Sequence, residues 1–226
     1  MPQWMHTLAY SSLAVSLLVP VCQAGDHKVN ISENLESVTV QHGKEKVTVK
    51  IQRNQDPKNI IKAPYNKTSR ACPPFCITPI KTGDVETVAE LEVLDYLDKI
   101  NKGDKNTLVV DSRTPEWLAR GTIPGSINVP WLQISPRDAA PFEVEEIANF
   151  EKIMTDTFGA SKKVDGSWDF SQAKTLVMFC NGLWCPQSLH NIRTLISHGY
   201  PSNKLKWYRG GMQDWINLGL TTMPLN

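Results

Sequence analysis

The chain has no block of like charge, no internal repeat and no low-complexity tract. Its 24 lysines and arginines stand against 23 aspartates and glutamates, a formal net charge of +1. So close a balance gives nothing to draw the protein to nucleic acid or to an anionic membrane surface. The longest apolar stretch, Leu13–Val21, falls well short of the roughly 20 residues a bilayer span needs. No CxxC pair occurs, since the two later cysteine pairs are spaced CxxxC and CxxxxC. That spacing argues against a zinc site, and no metal or cofactor is expected. What is present, 226 residues of which 41% are hydrophobic, suffices for one good-sized domain and an extension.

The N-terminus reads as a targeting segment. Leu13–Val21 is its apolar core, and Cys22-Gln23-Ala24 resembles a small-x-small cleavage site. The region ahead of Leu13 lacks lysine and arginine, a departure from the usual signal-peptide pattern. Residues 1–24 are therefore expected to be removed, with the mature chain starting near Gly25, exported to a periplasmic or extracellular space and not inserted in a membrane. Export leaves four of the five cysteines: Cys72, Cys76, Cys180 and Cys185. In an oxidising compartment these could form two local bridges. The Cys72-Pro73-Pro74-Phe75-Cys76 segment is stiff and compact, and a Cys72–Cys76 bridge reads as a structural staple.

The chain divides near residue 80. Ser37–Gln41 and Lys46–Ile51 alternate apolar and polar residues around a turn at His42-Gly43-Lys44-Glu45, which predicts a β-hairpin. A hairpin alone is marginal in water and should pack on the rest of the protein. Residues 54–80, rich in Asn, Pro and Lys, read as an irregular connection within an N-terminal extension spanning 25–80. Asn30-Ile31-Ser32 and Asn66-Lys67-Thr68 match the glycosylation sequon, which matters only in a eukaryotic host.

From Thr87 the pattern alternates helices and strands. Val88, Leu91, Leu94, Leu97 and Ile100 mark an amphipathic helix, and Leu108-Val109-Val110 a short strand ending in Asp111. A short helix follows Pro115. A longer one covers 141–157, with Phe142, Ile147, Phe150 and Met154 near one face. Thr175–Phe179 is a buried strand, 186–198 a helix with Pro186 at its first position, 204–208 a last strand and 212–218 a last helix. Such alternation implies a parallel sheet covered by helices on both faces, with ligands bound beyond the carboxyl ends of its strands.

Cys180-Asn181-Gly182-Leu183-Trp184-Cys185 occupies one such strand end. Loop amides and a helix N-terminus surround the Cys180 sulfur, a setting that lowers a thiol pKa. Trp184, at the loop tip, either selects a partner or folds onto the domain. Asp111 and Arg113 lie near a neighbouring strand end and read as a structural ion pair within reach of the site.

Three ordered motifs resemble the rhodanese-like family. They are Asp111-Ser112-Arg113 with Glu116-Trp117 and Gly121–Pro130; Cys180 at the position of the sulfur-accepting cysteine; and Arg209-Gly210-Gly211-Met212-Gln213-Asp214-Trp215 with Gly219-Leu220. The resemblance covers roughly 84–224. It implies a rhodanese-like α/β domain that moves sulfane sulfur through a persulfide on Cys180, from a small donor such as thiosulfate to a thiol acceptor. Asn181, Gly182, Leu183 and Trp184 would form the substrate-binding loop. That loop holds no lysine or arginine, so its attraction for an anionic donor is weak. Cys185 stands where the family often has a basic or hydroxyl residue. It either closes the loop as a small side chain or attacks the persulfide and leaves a disulfide. Two alternatives therefore stay open: a thiol–disulfide oxidoreductase that cycles Cys180 and Cys185 with a redox protein, and a non-catalytic binding module.

Overall fold

The computed structural model describes residues 28–134 and 144–225. The targeting segment expected over residues 1–24 lies outside them. Strands β1 (Ser37–His42) and β2 (Val47–Gln52) form the antiparallel hairpin, with Val38 opposite Ile51 and Val40 opposite Val49. These four side chains share one face and are buried. The turn falls one residue later than the sequence suggests, because His42 is held in β1. Its Nδ1 accepts from the Gly125 amide at 3.2 Å, which leaves Nε2 to donate to the Pro224 carbonyl at 2.9 Å.

The chain then runs through β3 (Glu86–Val88), α1 (Glu90–Asn101), β4 (Thr107–Asp111), α2 (Pro115–Leu118), β5 (Ile127–Asn128) and α3 (Val144–Lys152). After a π turn at Ile153–Thr157 come the short pair β6 (Ser161–Lys162) and β7 (Trp168–Asp169), then β8 (Thr175–Phe179), α4 (Gln187–Ser197), β9 (Leu205–Tyr208) and α5 (Gly211–Asn217). Five strands make one parallel sheet in the order β3-β9-β8-β4-β5. Both faces are buried, which is why the strands read as continuous apolar runs. Val110, Leu176, Met178, Leu205 and Trp207 face one core with Leu189, Ile192 and Leu195 of α4. Val109, Val177, Phe179 and Tyr208 face the other, with Val93, Leu94 and Leu97 of α1, Trp215 of α5, and the hairpin. The hairpin thus completes the second core and contributes four of its side chains, Val38, Val40, Val49 and Ile51.

Three sequence expectations need correction. Val88 belongs to a strand, pairing with Tyr208, and α1 begins after it, where the Glu92 carboxylate accepts from the Ala89 amide at 3.0 Å. The buried stripe of α1 is consequently Val93, Leu94 and Leu97, and Leu91 is exposed. In the 141–157 region, Phe150 and Met154 are buried but Ile147 is 43% exposed, because the buried stripe is centred on Phe150, Ile153 and Met154 and leaves Ile147 at its edge. Phe142 lies outside the described residues. Pro186 caps α4 and is not its first helical residue. No helix among the described residues is long and apolar enough to cross a membrane.

Candidate active site

Strand β8 delivers Cys180 to the carboxyl edge of the sheet, and 181–186 turn into α4. The loop is held by backbone bonds. The Cys185 amide donates to the Gly182 carbonyl at 2.9 Å, and the Met212 and Gln213 amides at the start of α5 donate to the Cys180 and Asn181 carbonyls, each at 3.0 Å. This approach requires glycine at 211: a Cβ there would lie 2.3 Å from the Cys180 carbonyl oxygen, on a backbone with φ of +54°.

The sulfur itself is enclosed. Cys180 is 2% exposed; its Sγ donates to the Cys185 carbonyl at 3.1 Å and accepts from the Ser188 hydroxyl at 3.4 Å. The Ser188 oxygen in turn accepts from Trp207 Nε1 at 3.1 Å. Burial alone would raise the Cys180 pKa. Hydrogen bonds from the Cys185 thiol, the Ser188 hydroxyl and the Ser188 and Gly182 amides outweigh it and lower the pKa to about 7. Cys185 is the converse: burial, then its contact with Cys180, pushes its thiol well up, and Gln187 Oε1, 3.6 Å from its Sγ, is the alternative acceptor for its one proton. Both cysteines are free thiols in this structure. The site therefore pairs one readily ionised sulfur with one that stays protonated.

Beneath the loop lies a fully buried ion pair. Asp111 accepts from Arg113 Nε at 2.9 Å and from Nη2 at 2.6 Å, and also from the Thr122 hydroxyl at 2.6 Å. Burial works against the Arg113 charge, but Asp111 more than offsets it and the guanidinium pKa is raised. Arg113 Nη1 donates to the Tyr65 hydroxyl at 3.0 Å, and that hydroxyl donates to Asn181 Oδ1 at 3.1 Å. The ion pair thus positions the loop through Asn181.

Tyr65 comes from the stretch read as an irregular connection, and it does not come alone. Residues 64–78 form a strap across the loop. The Arg70 guanidinium sits 3.8 Å from the Trp184 ring centroid, and Phe75 meets the same ring edge-on at 5.7 Å. The Thr78 amide and hydroxyl both donate to the Leu183 carbonyl, at 2.8 and 2.7 Å. Arg209 binds the Thr78 carbonyl, and Gln213 Nε2 donates to the Tyr65 carbonyl at 2.6 Å. The Cys72–Cys76 disulfide, Cα atoms 4.6 Å apart, closes the short turn that presents Phe75. Trp184 is half-buried between these residues and does not protrude.

The structure therefore brings Cys180–Cys185, Asp111, Arg113 and the Cys72/Cys76 segment into one region. The sequence reading missed Ser188, Tyr65, Arg70, Phe75 and Thr78. Ser188 stands three residues past Cys185 at a helix start and was open to detection. The strap residues carry no local signal, since only long-range packing brings them to the loop. Among the described residues no group of histidines, cysteines and carboxylates is arranged to hold a metal ion.

A parallel sheet flanked by helices, with a cysteine loop running from a strand end into a helix, is the architecture the motifs implied. The sequence model of the rhodanese-like domain matches residues 93–218, more than half of the chain, and the protein belongs to that family. Among solved structures, the human single-domain sulfurtransferase TSTD1 is 23% identical, with 59% of this chain and 96% of that one covered at a TM-score of 0.37. An uncharacterised protein from Saccharomyces cerevisiae is 29% identical over 60% of this chain and 93% of that one, at a TM-score of 0.37. BH2092 from Bacillus halodurans is 19% identical over 58% and 72%, also at 0.37. No curated protein matches the chain.

Proposed function

We propose that the protein is an exported sulfurtransferase that carries sulfane sulfur on Cys180. The observation that supports this most is the placing of Cys180 where β8 meets α4, its Sγ accepting from the Ser188 hydroxyl at 3.4 Å, a setting that lowers its pKa while burial and contact with Cys180 raise that of Cys185. With thiosulfate as donor, the Cys180 thiolate attacks the outer sulfur. A Cys180 S–S bond forms, the donor S–S bond breaks, and sulfite leaves with the electron pair. An acceptor thiolate then attacks the outer sulfur of the Cys180 persulfide, takes it, and returns Cys180 as thiolate. Amides of the 181–185 loop stabilise the outer sulfur anion.

The test is intact-mass spectrometry after thiosulfate. The reduced wild type should gain one sulfur atom, and Cys180→Ser should gain none. Sulfur uptake by the serine variant would refute the assignment.

The contact between the two thiols favours a second reading, thiol–disulfide exchange. Here the Cys185 sulfur attacks the inner sulfur of the persulfide, forms a Cys180–Cys185 disulfide and expels hydrosulfide, the thiol proton leaving with it. Activity measured against redox potential for wild type and Cys185→Ala separates the two: identical curves leave Cys185 with a packing role only. Export rests on Leu13–Val21 and Cys22-Gln23-Ala24; N-terminal sequencing of protein from the native host should begin within a residue or two of Gly25.

A further inference from the structure

We propose that Ser188 is a second catalytic residue of this site, holding the Cys180 sulfur through its hydroxyl proton, and that Trp207 is the positioning residue that aims that proton. The role in turnover rests on the sulfur-transfer reading; the hydrogen-bond relay does not.

The direction of the relay follows from what each group can do. An indole N–H only donates, so at the 3.1 Å contact with Trp207 Nε1 the Ser188 oxygen is the acceptor. The serine proton is then free for the sulfur 3.4 Å away. Ser188 is 1%, Trp207 1% and Cys180 2% exposed, so water does not compete. A bond that carries charge is stronger than a neutral one, and it is worth most when Cys180 is thiolate. Cys180 is thiolate at two moments of the cycle: before it attacks the donor, and as the leaving group when the acceptor removes the outer sulfur. No proton transfers in either step. The inner sulfur is served by the Ser188 hydroxyl together with the Ser188 and Gly182 amides.

The other titratable groups on the elements packed around the sulfur are the same in every variant. Cys185 faces it from the loop, protonated. Arg113 faces it from the end of β4, paired with Asp111 and bonded to Tyr65. From α5, Asp214 packs over Gly210. His190 of α4 stacks against Trp131.

Thiolate absorbance titrations and the rate at which preloaded persulfide discharges to a thiol acceptor test the proposal on the full chain. Ser188→Ala should raise the titration midpoint by about one unit and slow discharge about tenfold, with the donor KM unchanged. Ser188→Thr should restore both. Trp207→Phe should move the midpoint the same way by less. Wild-type midpoint and discharge in Ser188→Ala would overturn the catalytic role, and an unmoved midpoint in Trp207→Phe would overturn the positioning role. If wild type and variants alike accept no sulfur yet Ser188→Ala still shifts the midpoint, the sulfur-transfer reading fails and the relay stands.

Discussion

Cys180 and Cys185 share a side chain, lie five positions apart and are both buried. Their chemistry differs because their partners differ. Both receive backbone amides, but only Cys180 has a hydroxyl donor, whereas Cys185 faces an amide oxygen and its neighbour's sulfur. Reactivity should follow. Alkylation of Cys180 by a small neutral reagent should climb as pH rises through about 7 and level off above it, since protonation removes the nucleophile. Peptide mapping across pH checks this, and Cys185 should remain unlabelled over the same range. The Asp111–Arg113 pair governs stability at the same scale. Asp111→Asn leaves the buried guanidinium without its counter-charge and should cost about 3–5 kcal/mol. Urea unfolding would measure the loss.

The strap over residues 64–78 gives the N-terminal extension a defined place at the site. It clamps the loop through three kinds of contact: a cation over Trp184, an aromatic edge against it, and two hydrogen bonds to the Leu183 carbonyl. Each ring contact is worth roughly 0.5–2 kcal/mol. Removing both, in Arg70→Ala with Phe75→Ala, should let Trp184 swing out and speed Cys180 alkylation roughly tenfold or more at fixed pH. An unchanged rate would mean that the loop opens without the strap moving.

The whole molecule is two cores separated by one parallel sheet, and the hairpin belongs to the second core. Ile51 is fully buried there. Ile51→Ala should therefore cost about 2–5 kcal/mol and lower the midpoint of a single cooperative transition. Unfolding followed by tryptophan fluorescence reports it, since Trp215 lies in the same core. A separate early transition that leaves the tryptophan signal untouched would show that the hairpin folds as an independent unit.

Much of this arrangement is determined by local pattern. Alternating residues in 37–51 specify the hairpin, and Thr175–Phe179 followed by a short loop and an apolar helix specifies where Cys180 must lie. Both follow from the strand and helix periods alone. The Asp111–Arg113 pair was also legible, because two residues apart at a strand end they can meet without help from distant chain. Helix phase was less so: Val88 sits in helical register with Leu91 and Leu94, and only its pairing with Tyr208 makes it a strand. The relay and the strap were decided by tertiary structure. Trp207 lies 19 residues from Ser188, and Tyr65 lies 116 from Asn181. No periodicity encodes such contacts, because they arise when sheet order brings β9 beside β8 and when an irregular segment is drawn across the strand ends. Local spacing determined where Cys180 lies; packing over long sequence distance decided what surrounds it.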